Sequence, residues 1–260
     1  MRKILNFSKR NFKEVLRDPL IYVFCLGFPI VMLALFQVIN KYSGGNTPIF
    51  EMRSLLPGIL TFSYTFVMLT MSMLDSKDRQ TSFLQRLYTS PMKAGHFVLG
   101  YALVGIAVGI GQTIICVLSG FVVSLISGSS FPSFPQILLL AGSQLPLLIM
   151  NVFLGILFGT LFNDKTSPGI CSVFISLAGI LGGCWMPLEE MGGFETFCRF
   201  LPFYPSVYIG RVTTQATHLL GTPYSFDSTA ALGFIPIALF LTASVLLSFL
   251  IFKRKMCSDK

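Results

Sequence analysis

Residues 55–74 read LLPGILTFSYTFVMLTMSML, and residues 75–91, which follow directly, read DSKDRQTSFLQRLYTSP. The first segment carries no charge over a length that lets an α-helix cross a bilayer, which takes about 20 residues. The second segment is charged and partly amphipathic, and the chain becomes apolar again at Phe97. Long apolar segments joined by charged connections are typical of a helical membrane protein.

The composition of the whole chain supports this interpretation. Of 260 residues, 53% are hydrophobic and 12% are charged, and the mean hydropathy is +0.74. A soluble domain usually carries about 25% charged residues. A large soluble helical core is the alternative, but it would need polar helix faces that these apolar segments lack. We therefore predict an all-α polytopic membrane protein that forms one domain over residues 1–260.

Six segments are apolar enough to be transmembrane helices, and the first is expected to remain as an anchor because no cleavage site follows it. The predicted spans are Leu20–Ile39, Leu55–Leu74, Phe97–Ser127, Gln136–Phe162, Ile170–Leu188 and Thr229–Phe252.

The distribution of positive charge predicts the orientation of the spans. With the N-terminus in the cytoplasm, the outer connections hold four Lys and Arg residues, and the other fifteen of the 19 lie inside. The four outer residues are Lys41, Arg53, Arg199 and Arg211. Cytoplasmic loops carry such an excess, so both termini are predicted to be cytoplasmic in the cell (inner or plasma) membrane. The net charge of +8 is then mainly a topology signal, and we expect no nucleic-acid partner.

Residues 1–19 have the pattern of an amphipathic helix that ends before Asp18-Pro19. Basic residues fall largely on one side of this helix, and Ile4, Leu5, Phe12, Val15 and Leu16 fall on the other. Such a helix lies in the membrane interface with its basic face towards anionic headgroups. A topology determinant with no further role is the alternative.

The connection 187–228 between spans five and six is long, yet it is rich in aromatic and aliphatic residues. Short re-entrant helices would explain this composition, because irregular backbone at membrane depth is tolerated where protein buries it. A loop packed on top of the bundle would explain it equally well. Glycines four residues apart, such as Gly105 with Gly109 and Gly155 with Gly159, predict close helix packing inside the bundle or at a dimer face.

Motifs for catalysis are missing from the sequence, which contains no GxxxxGK[ST], HExxH or GxSxG. It has two histidines, and no ionisable residue lies deep in a predicted span, where a proton or ion relay would need one. We therefore predict no catalytic residue, no metal site and no cofactor on this chain. A secondary transporter without an ATPase and a non-transport membrane scaffold are the alternatives from other functional classes.

The charged segment after residue 74 is the best candidate for contact with an energy-supplying partner, within a cytoplasmic loop at residues 75–96. Phe83, Leu84, Leu87 and Tyr88 share one helix face, and Pro91 ends the helix. A short amphipathic helix presented in this way can bind a groove on a partner. A surface helix lying on lipid is the alternative.

The order of these features resembles the integral membrane subunit of type 2 ABC exporters. The resemblance covers nearly the whole chain and rests on LRDP at residues 16–19, six spans, FLQRLYTSP, GGCWMPLEEM and LPFYPSVYIGR. It implies a permease that pairs with a second copy or a paralogue, as a homodimer or heterodimer. A separate ABC ATPase that binds ATP and Mg would associate with each half, and lipid would surround the spans.

The resemblance also implies roles for particular residues. The ATPase-coupling residues would be Arg79, Phe83, Leu84, Gln85, Arg86, Leu87, Tyr88, Ser90 and Pro91. The residues of the outer re-entrant helices would include Trp185, Pro187, Glu189, Glu190, Pro202 and Pro205. Relatives often carry acidic residues and a glycine before the Leu-x-x-Ser/Thr-Pro run, whereas this chain has Gln80, Ser82 and Gln85.

Within the family, the absence of deep charges favours efflux of a drug, an antibiotic peptide or another amphipathic substrate, with antibiotic resistance as one consequence. Export of a polysaccharide or a lipid-linked glycan is the alternative.

Overall fold

A computed structural model of the chain describes residues 2–19, 22–43, 47–81, 83–84, 92–219 and 221–258. Over these ranges the chain is helical, and an isolated bridge between Thr217 and Pro223 is its one β-type pairing. The helices are α1 (Arg2–Val15), α2 (Phe28–Tyr42), α3 (Met52–Gln80), α4 (Ala94–Ser127), α5 (Phe134–Leu161), α6 (Ser167–Leu181), α7 (Gly193–Cys198), α8 (Phe203–Thr213) and α9 (Ser228–Ser258).

Four of these helices, α3, α4, α5 and α9, are long and apolar enough to cross a membrane. They match the predicted spans two, three, four and six to within a few residues, so these four predictions are confirmed at the level of length and composition. The all-helical, multi-pass membrane architecture predicted from the sequence is confirmed with them.

Predicted spans one and five correspond to shorter α-helices of 15 residues each, α2 and α6. At 1.5 Å per residue each is about 22 Å long, below the roughly 30 Å of the hydrocarbon core. A π-helix at Tyr22–Gly27 precedes α2, and α6 ends where Gly183 adopts a φ of +59°. The six-span count therefore stays a prediction.

Helix α3 is the centre of the bundle and packs most extensively against α5, with α4, α6, α8 and α1 around it. Its apolar window is wholly buried, although it contains many Ser and Thr residues. Several of their hydroxyls are hydrogen-bonded within the protein: Ser63 donates to the carbonyl of Ile59 and Thr61 donates to Gln144. Internal pairing removes the cost of burying polar groups in an apolar environment.

Close approach between α3 and α5 depends on glycine. A Cβ added at Gly155 would lie 2.5 Å from the backbone oxygen of Met68, and one at Gly159 would lie 2.7 Å from that of Ser72. On α4, a Cβ at Gly109 would lie 2.1 Å from the side chain of Leu148. The predicted role of these small residues in packing inside the bundle is confirmed.

The connection after α6 contains a 3₁₀ turn at Leu188–Glu190, then the short helix α7 and then α8. Helix α8 is buried from Phe203 to Arg211, because it packs against α3, α5 and α9. The two short helices agree with the predicted helical character of this connection, and their depth relative to a membrane stays a prediction.

The N-terminal helix was predicted with a single apolar face, and α1 divides that face in two. Of the predicted face, Val15 is buried against the bundle, whereas Leu5 and Leu16 are 59% and 49% exposed. Phe7 and Asn11, which were not assigned to that face, are buried beside Val15. The cause is α4, which receives the ring of Phe7 against Gly100, where a Cβ would lie 2.5 Å from that ring.

Candidate functional site

The end of the bundle that carries α1 contains an ion pair between Arg10 of α1 and Asp78 of α3. The Arg10 guanidinium donates to both carboxylate oxygens of Asp78, at 2.7 Å and 2.8 Å. Tyr101 of α4 also donates to Asp78, at 2.7 Å. The Asp78 side chain is only 1% exposed, whereas that of Arg10 is 39% exposed. One buried carboxylate therefore joins three helices, and we call Arg10, Asp78 and Tyr101 the α1-end cluster.

The start of the predicted coupling segment lies directly on this cluster. The Arg10 guanidinium is 3.8 Å from the centre of the Phe83 ring, and Phe83 stacks with Phe7 at 6.5 Å. Leu84 is fully buried in the hydrophobic core. Phe83 and Leu84 therefore pack within their own chain, and no part of the Leu84 side chain is exposed to a partner.

Arg79, another predicted coupling residue, joins α3 to the end of α5. Its guanidinium donates to the backbone carbonyl of Gly159, at 3.4 Å, and to that of Thr160. A cation at a helix C-terminus meets carbonyls that have no helical partner and the negative end of the helix dipole. Thr160 in turn donates to the buried Asp75 at 2.8 Å.

The remaining predicted coupling residues, Gln85, Arg86, Leu87, Tyr88, Ser90 and Pro91, lie outside the described residues. Described residues border them on both sides, with Leu84 before them and Met92 after them. The chain then enters α4, where the backbone N–H of Lys93 donates to His96 Nδ1 at 3.1 Å.

A surface cavity of about 790 Å³ lies beside the α1-end cluster. It is bordered by one stripe of α1 together with Lys77, which is 3.4 Å from Glu14. The lining residues are Asn6, Lys9, Arg10, Lys13, Glu14, Arg17, Asp18, Pro19 and Lys77. Five cations and two carboxylates give this cavity an excess of positive charge.

The opposite end of the bundle, where α8 lies, is organised by Arg211, whose side chain is completely buried. It donates to the backbone carbonyls of Gly183, at 2.8 Å, and Ser54, at 3.4 Å. It also lies 3.5 Å from Glu189, which accepts a 2.8 Å hydrogen bond from Tyr224. We call Arg211, Glu189 and Tyr224 the Arg211 cluster; it joins α8 to the connection after α6 and to the start of α3.

Two further tyrosines at this end donate to carboxylates. Tyr204 donates to Glu195 at 2.8 Å, and Tyr208 donates to Asp227 at 3.0 Å. Burial is the largest cause that raises the pKa of Tyr204 and of Tyr208, and the neighbouring carboxylates raise each pKa further. Both phenols therefore stay protonated and remain donors.

The pKa of Tyr224 is also raised. Burial raises its pKa, the cation of Arg211 opposes that shift, and the Glu189 carboxylate reinforces it. Its ring is also stacked on His218 at 3.6 Å between centroids.

The outer residues predicted from the sequence separate into different environments. Glu189 belongs to the Arg211 cluster, whereas Glu190 is exposed. Trp185 packs edge-to-face on Phe62 at 5.0 Å. The prolines mark boundaries: Pro187 precedes the 3₁₀ turn, Pro202 precedes α8, and Pro205 lies in its first turn.

An apolar groove of about 700 Å³ opens between α2, α3 and α6. Its polar members are two serines. The groove is lined by Phe28, Met32, Phe62, Phe66, Leu69, Met73, Pro168, Ser172, Ile175, Ser176, Ile180 and Trp185.

Sequence reasoning did not identify Asp78, Tyr101 or Arg211 as site residues. Arg211 was counted only as a positive charge in an outer connection, Tyr101 lay within a predicted span, and Asp78 was only part of the charged segment after residue 74. A signal did exist for Arg211, since it is a lone cation in the otherwise apolar run FYPSVYIGRV. Such a residue is expected to have an internal partner.

The fold and these sites define an all-helical, multi-pass membrane protein. Within the described residues, no group of three or more His, Cys, Asp or Glu side chains could hold a metal ion. The sequence profile described as ABC-2 type transporter matches residues 2–214, and no curated protein matches the chain. The chain belongs to the ABC-2 type transporter family and is a transmembrane component of an ABC transporter, a transport subunit that is not itself catalytic.

Proposed function

We propose that the chain is the permease subunit of an exporter driven by ATP, which a separate ABC ATPase binds together with Mg and hydrolyses. The observation that carries this proposal is the contact of Phe83 with Arg10, because Arg10 is in turn bound to the buried Asp78. The segment predicted to dock the ATPase is therefore continuous with an ion pair inside the bundle.

This continuity supports a mechanism for coupling. A displacement of the loop at residues 75–96 would act on Phe83 and hence on Arg10 and Phe7 of α1. It would also act on α3 through Asp78 and on α5 through Arg79. Because α3 contacts most of the bundle, its movement would change the packing of the spans around it.

The charge of the cavity beside the α1-end cluster also supports contact with an ABC ATPase. Its excess of cations complements an acidic surface, and its position next to the loop lets one partner contact both. We propose that this end faces the cytoplasm and that the chain crosses the cell membrane six times, with both termini in the cytoplasm. The complete transporter would contain two permease copies or paralogues.

The apolar groove supports an amphipathic substrate, such as a drug or an antibiotic peptide, over a polysaccharide. Aromatic, aliphatic and Met side chains form most of its surface, and these bury apolar ligand surface well. A glycan would instead need many hydrogen-bonding groups, and Ser172 and Ser176 offer few. The same groove would form part of the translocation path.

Co-purification tests the partnership. The chain, expressed together with the products of its neighbouring genes, is expected to retain an ATPase in mild detergent. Substrate-stimulated ATP hydrolysis should then depend on the presence of the permease. Isolation of the chain without any ATPase under these conditions would contradict the proposal.

Leu87→Asp tests the coupling loop, because a carboxylate would be introduced into the predicted docking face. We expect export to be lost while membrane insertion is retained, and Leu87→Met serves as the matched control that keeps the face apolar. Unchanged export by Leu87→Asp would remove the loop from the coupling mechanism.

A further inference from the structure

Helix α3 contains a proline close to its start. Pro57 has no backbone N–H and its ring crowds the carbonyl four residues earlier, so the carbonyl of Arg53 has no N–H partner at the usual helical position. Helices bend most readily at such positions. The part of α3 before Pro57, which we call the first segment of α3 (residues 52–56), can therefore take more than one angle relative to the rest of the helix.

Helix α8 supplies the donor that Pro57 lacks. Thr214 directly follows α8, and its hydroxyl donates to the carbonyl of Arg53 at 2.6 Å. The buried side chains of Leu55 and Leu56 also hold the first segment, but apolar contacts have no preferred direction. A hydrogen bond does have a preferred direction, so the bond from Thr214 is the contact that fixes the angle.

The donors of α8 have other acceptors, so they can release the first segment. The Thr214 hydroxyl carries one proton, and the Gly210 carbonyl of α8 lies 3.1 Å from it as an alternative to Arg53. Threonine hydroxyls in helices can bond to the carbonyl four residues earlier in this way. Arg211 reaches α3 at 3.4 Å but has the Gly183 carbonyl at 2.8 Å. Both donors therefore stay paired when the first segment moves away.

Glycine allows the neighbouring backbones to approach α3 closely at Pro57. A Cβ at Gly210 of α8 would lie 2.6 Å from the Cβ of Pro57. On α3 itself, a Cβ at Gly58 would lie 2.1 Å from the backbone oxygen of Cys184, in the connection after α6. The short hydrogen bond from Thr214 depends on this close approach.

The first segment is continuous with residues that border the apolar groove. Phe50 lies two residues before α3, and its carbonyl accepts a 2.6 Å hydrogen bond from Gln37 of α2. Its ring stacks on Phe36 at 5.3 Å, and Phe36 stacks on Trp185 at 5.8 Å. Trp185 lines the groove. A change of angle at Pro57 would therefore displace Phe50 and separate the rings at the groove.

We propose that Pro57 is a hinge of α3, and that Thr214 holds this hinge in one position through its hydrogen bond to Arg53. In this position Trp185 stays packed against Phe36 at the end of the groove. When the Thr214 hydroxyl bonds inside α8 instead, the first segment turns and the groove opens at that end. The inference does not depend on the proposed function, because the hinge requires neither ATP nor a partner chain.

Hydrogen exchange followed by mass spectrometry tests the hinge in the purified full-length chain in detergent. Thr214→Val removes the hydroxyl and keeps the shape of the side chain. Amides in peptides covering residues 47–58 should then exchange about fivefold faster, the effect of losing one hydrogen bond. Exchange at residues 65–80, in the remainder of α3, should be unchanged.

Two matched variants show whether the hydroxyl at residue 214 is responsible. Thr214→Ser keeps a hydroxyl donor and should exchange as the unmodified chain does. Thr213→Val makes the same substitution one residue earlier, where the hydroxyl donates at 2.7 Å to the Gly210 carbonyl inside α8 and not to α3. It should leave exchange at residues 47–58 unchanged.

A double-mutant cycle connects Thr214 to the proline. Pro57→Ala supplies an N–H four residues after Arg53, so that carbonyl gains a partner in its own helix. In this background Thr214→Val should change the exchange rate less than about twofold, because the hydroxyl is no longer the only donor. The same fivefold effect in both backgrounds would show that Thr214 does not act through the hinge.

Trp185 reports on the groove, because it is the single tryptophan of the sequence. Quenching of its fluorescence by acrylamide should increase in Thr214→Val and stay unchanged in Thr214→Ser and Thr213→Val. Unchanged quenching in Thr214→Val would overturn the opening of the groove.

The hinge itself is overturned if residues 47–58 exchange at the same rate in Thr214→Val and in the unmodified chain, or equally fast in Thr213→Val. Size-exclusion chromatography establishes that each variant is folded. The three threonine variants decide the outcome even where Pro57→Ala is unstable.

Discussion

The two ends of the bundle both contain an arginine paired with a carboxylate, but they distribute burial in opposite ways. At the α1 end the carboxylate of Asp78 is buried, and the Arg10 side chain is 39% exposed. At the α8 end the guanidinium of Arg211 is completely buried, and the Glu189 side chain is 19% exposed. When its contact breaks, the Arg10 guanidinium can reach water, whereas the Arg211 guanidinium cannot.

This difference suggests different tasks. Breaking the Arg10 contact leaves a cation that water can solvate, and the Asp78 carboxylate keeps the hydrogen bond from Tyr101. The cost of separating α1 from α3 is therefore moderate only where water also reaches Asp78 as α1 moves away. Breaking the contacts of Arg211 leaves a charge in an apolar environment, which is far more expensive. The α1 end is therefore better suited to movement, and the α8 end is suited to holding the connection after α6 in place.

The largest effect is expected for Arg211→Ala, which removes the donor to the carbonyls of Gly183 and Ser54 and leaves Glu189 without its cation. We expect a loss of about 3–5 kcal/mol in the free energy of unfolding. Denaturant unfolding in detergent measures it. Arg199→Ala is the matched control: Arg199 is 47% exposed and paired with Glu195, so its loss should cost at most about 1 kcal/mol. Equal effects of the two variants would refute the contrast in burial.

A smaller effect is expected for Asp78→Ala at the α1 end. Arg10 would turn to solvent, but the buried hydroxyl of Tyr101 would lose its acceptor, at a cost of about 2–3 kcal/mol. Limited proteolysis should then release α1 before the rest of the chain unfolds. Glu14→Ala, at a half-exposed partner of Arg10, should leave α1 protected. Protection of α1 in Asp78→Ala would mean that the Phe7 contacts alone hold this helix.

The contact between α3 and α5 is the most extensive one in the bundle, and Gly155→Ala tests it. The new methyl group would lie 2.5 Å from the Met68 oxygen, so the helices must separate, at a cost of about 1–3 kcal/mol. Gly111→Ala has nothing within 4 Å of its Cβ and should be neutral or slightly stabilising. Thermal unfolding of the two variants compares their stabilities. Unchanged stability of Gly155→Ala would contradict a close contact between α3 and α5 at this position.

The smallest effect concerns Tyr224, whose pKa is raised by burial above the ordinary value of about 10. The unfolded chain loses this proton first, so the contribution of Tyr224 is fully present below pH about 10 and is lost as pH rises through the folded pKa. Tyr224→Phe should cost about 1 kcal/mol at pH 7. It should also flatten the decline in stability that begins above pH about 10, and an unchanged decline would exclude Tyr224 as its source.

Much of the architecture could be predicted because it depends on local composition. Helices α3, α4, α5 and α9 correspond to apolar runs with few charges, and long runs of this kind have one stable solution in a bilayer. The order of motifs likewise predicted the family that the profile match assigns. The lengths of α2 and α6 could not be predicted in the same way, because their ends depend on a π-helix and on the left-handed conformation of Gly183.

The sites were predicted less completely than the fold. Arg79, Phe83 and Leu84 were assigned to contact with a partner, and all three make contacts within their own chain. An amphipathic pattern indicates that the apolar face of a helix is buried. It does not indicate whether a partner protein or the rest of the same chain buries that face. The role of Asp78 was hidden because its partners, Arg10 and Tyr101, are 68 and 23 residues away along the chain.

Hydropathy, charge bias and motif order are properties of consecutive residues, so they were enough to predict a helical membrane protein of the ABC-2 type. Which charges are buried, and with which partners, followed from the packing of the helices. Burial depends on helices that meet from distant parts of the chain, as Arg211 of α8 meets the backbone of α3 across 157 positions. The energetic difference between the two ends follows from that burial, because the cost of an unpaired charge is set by the protein around it.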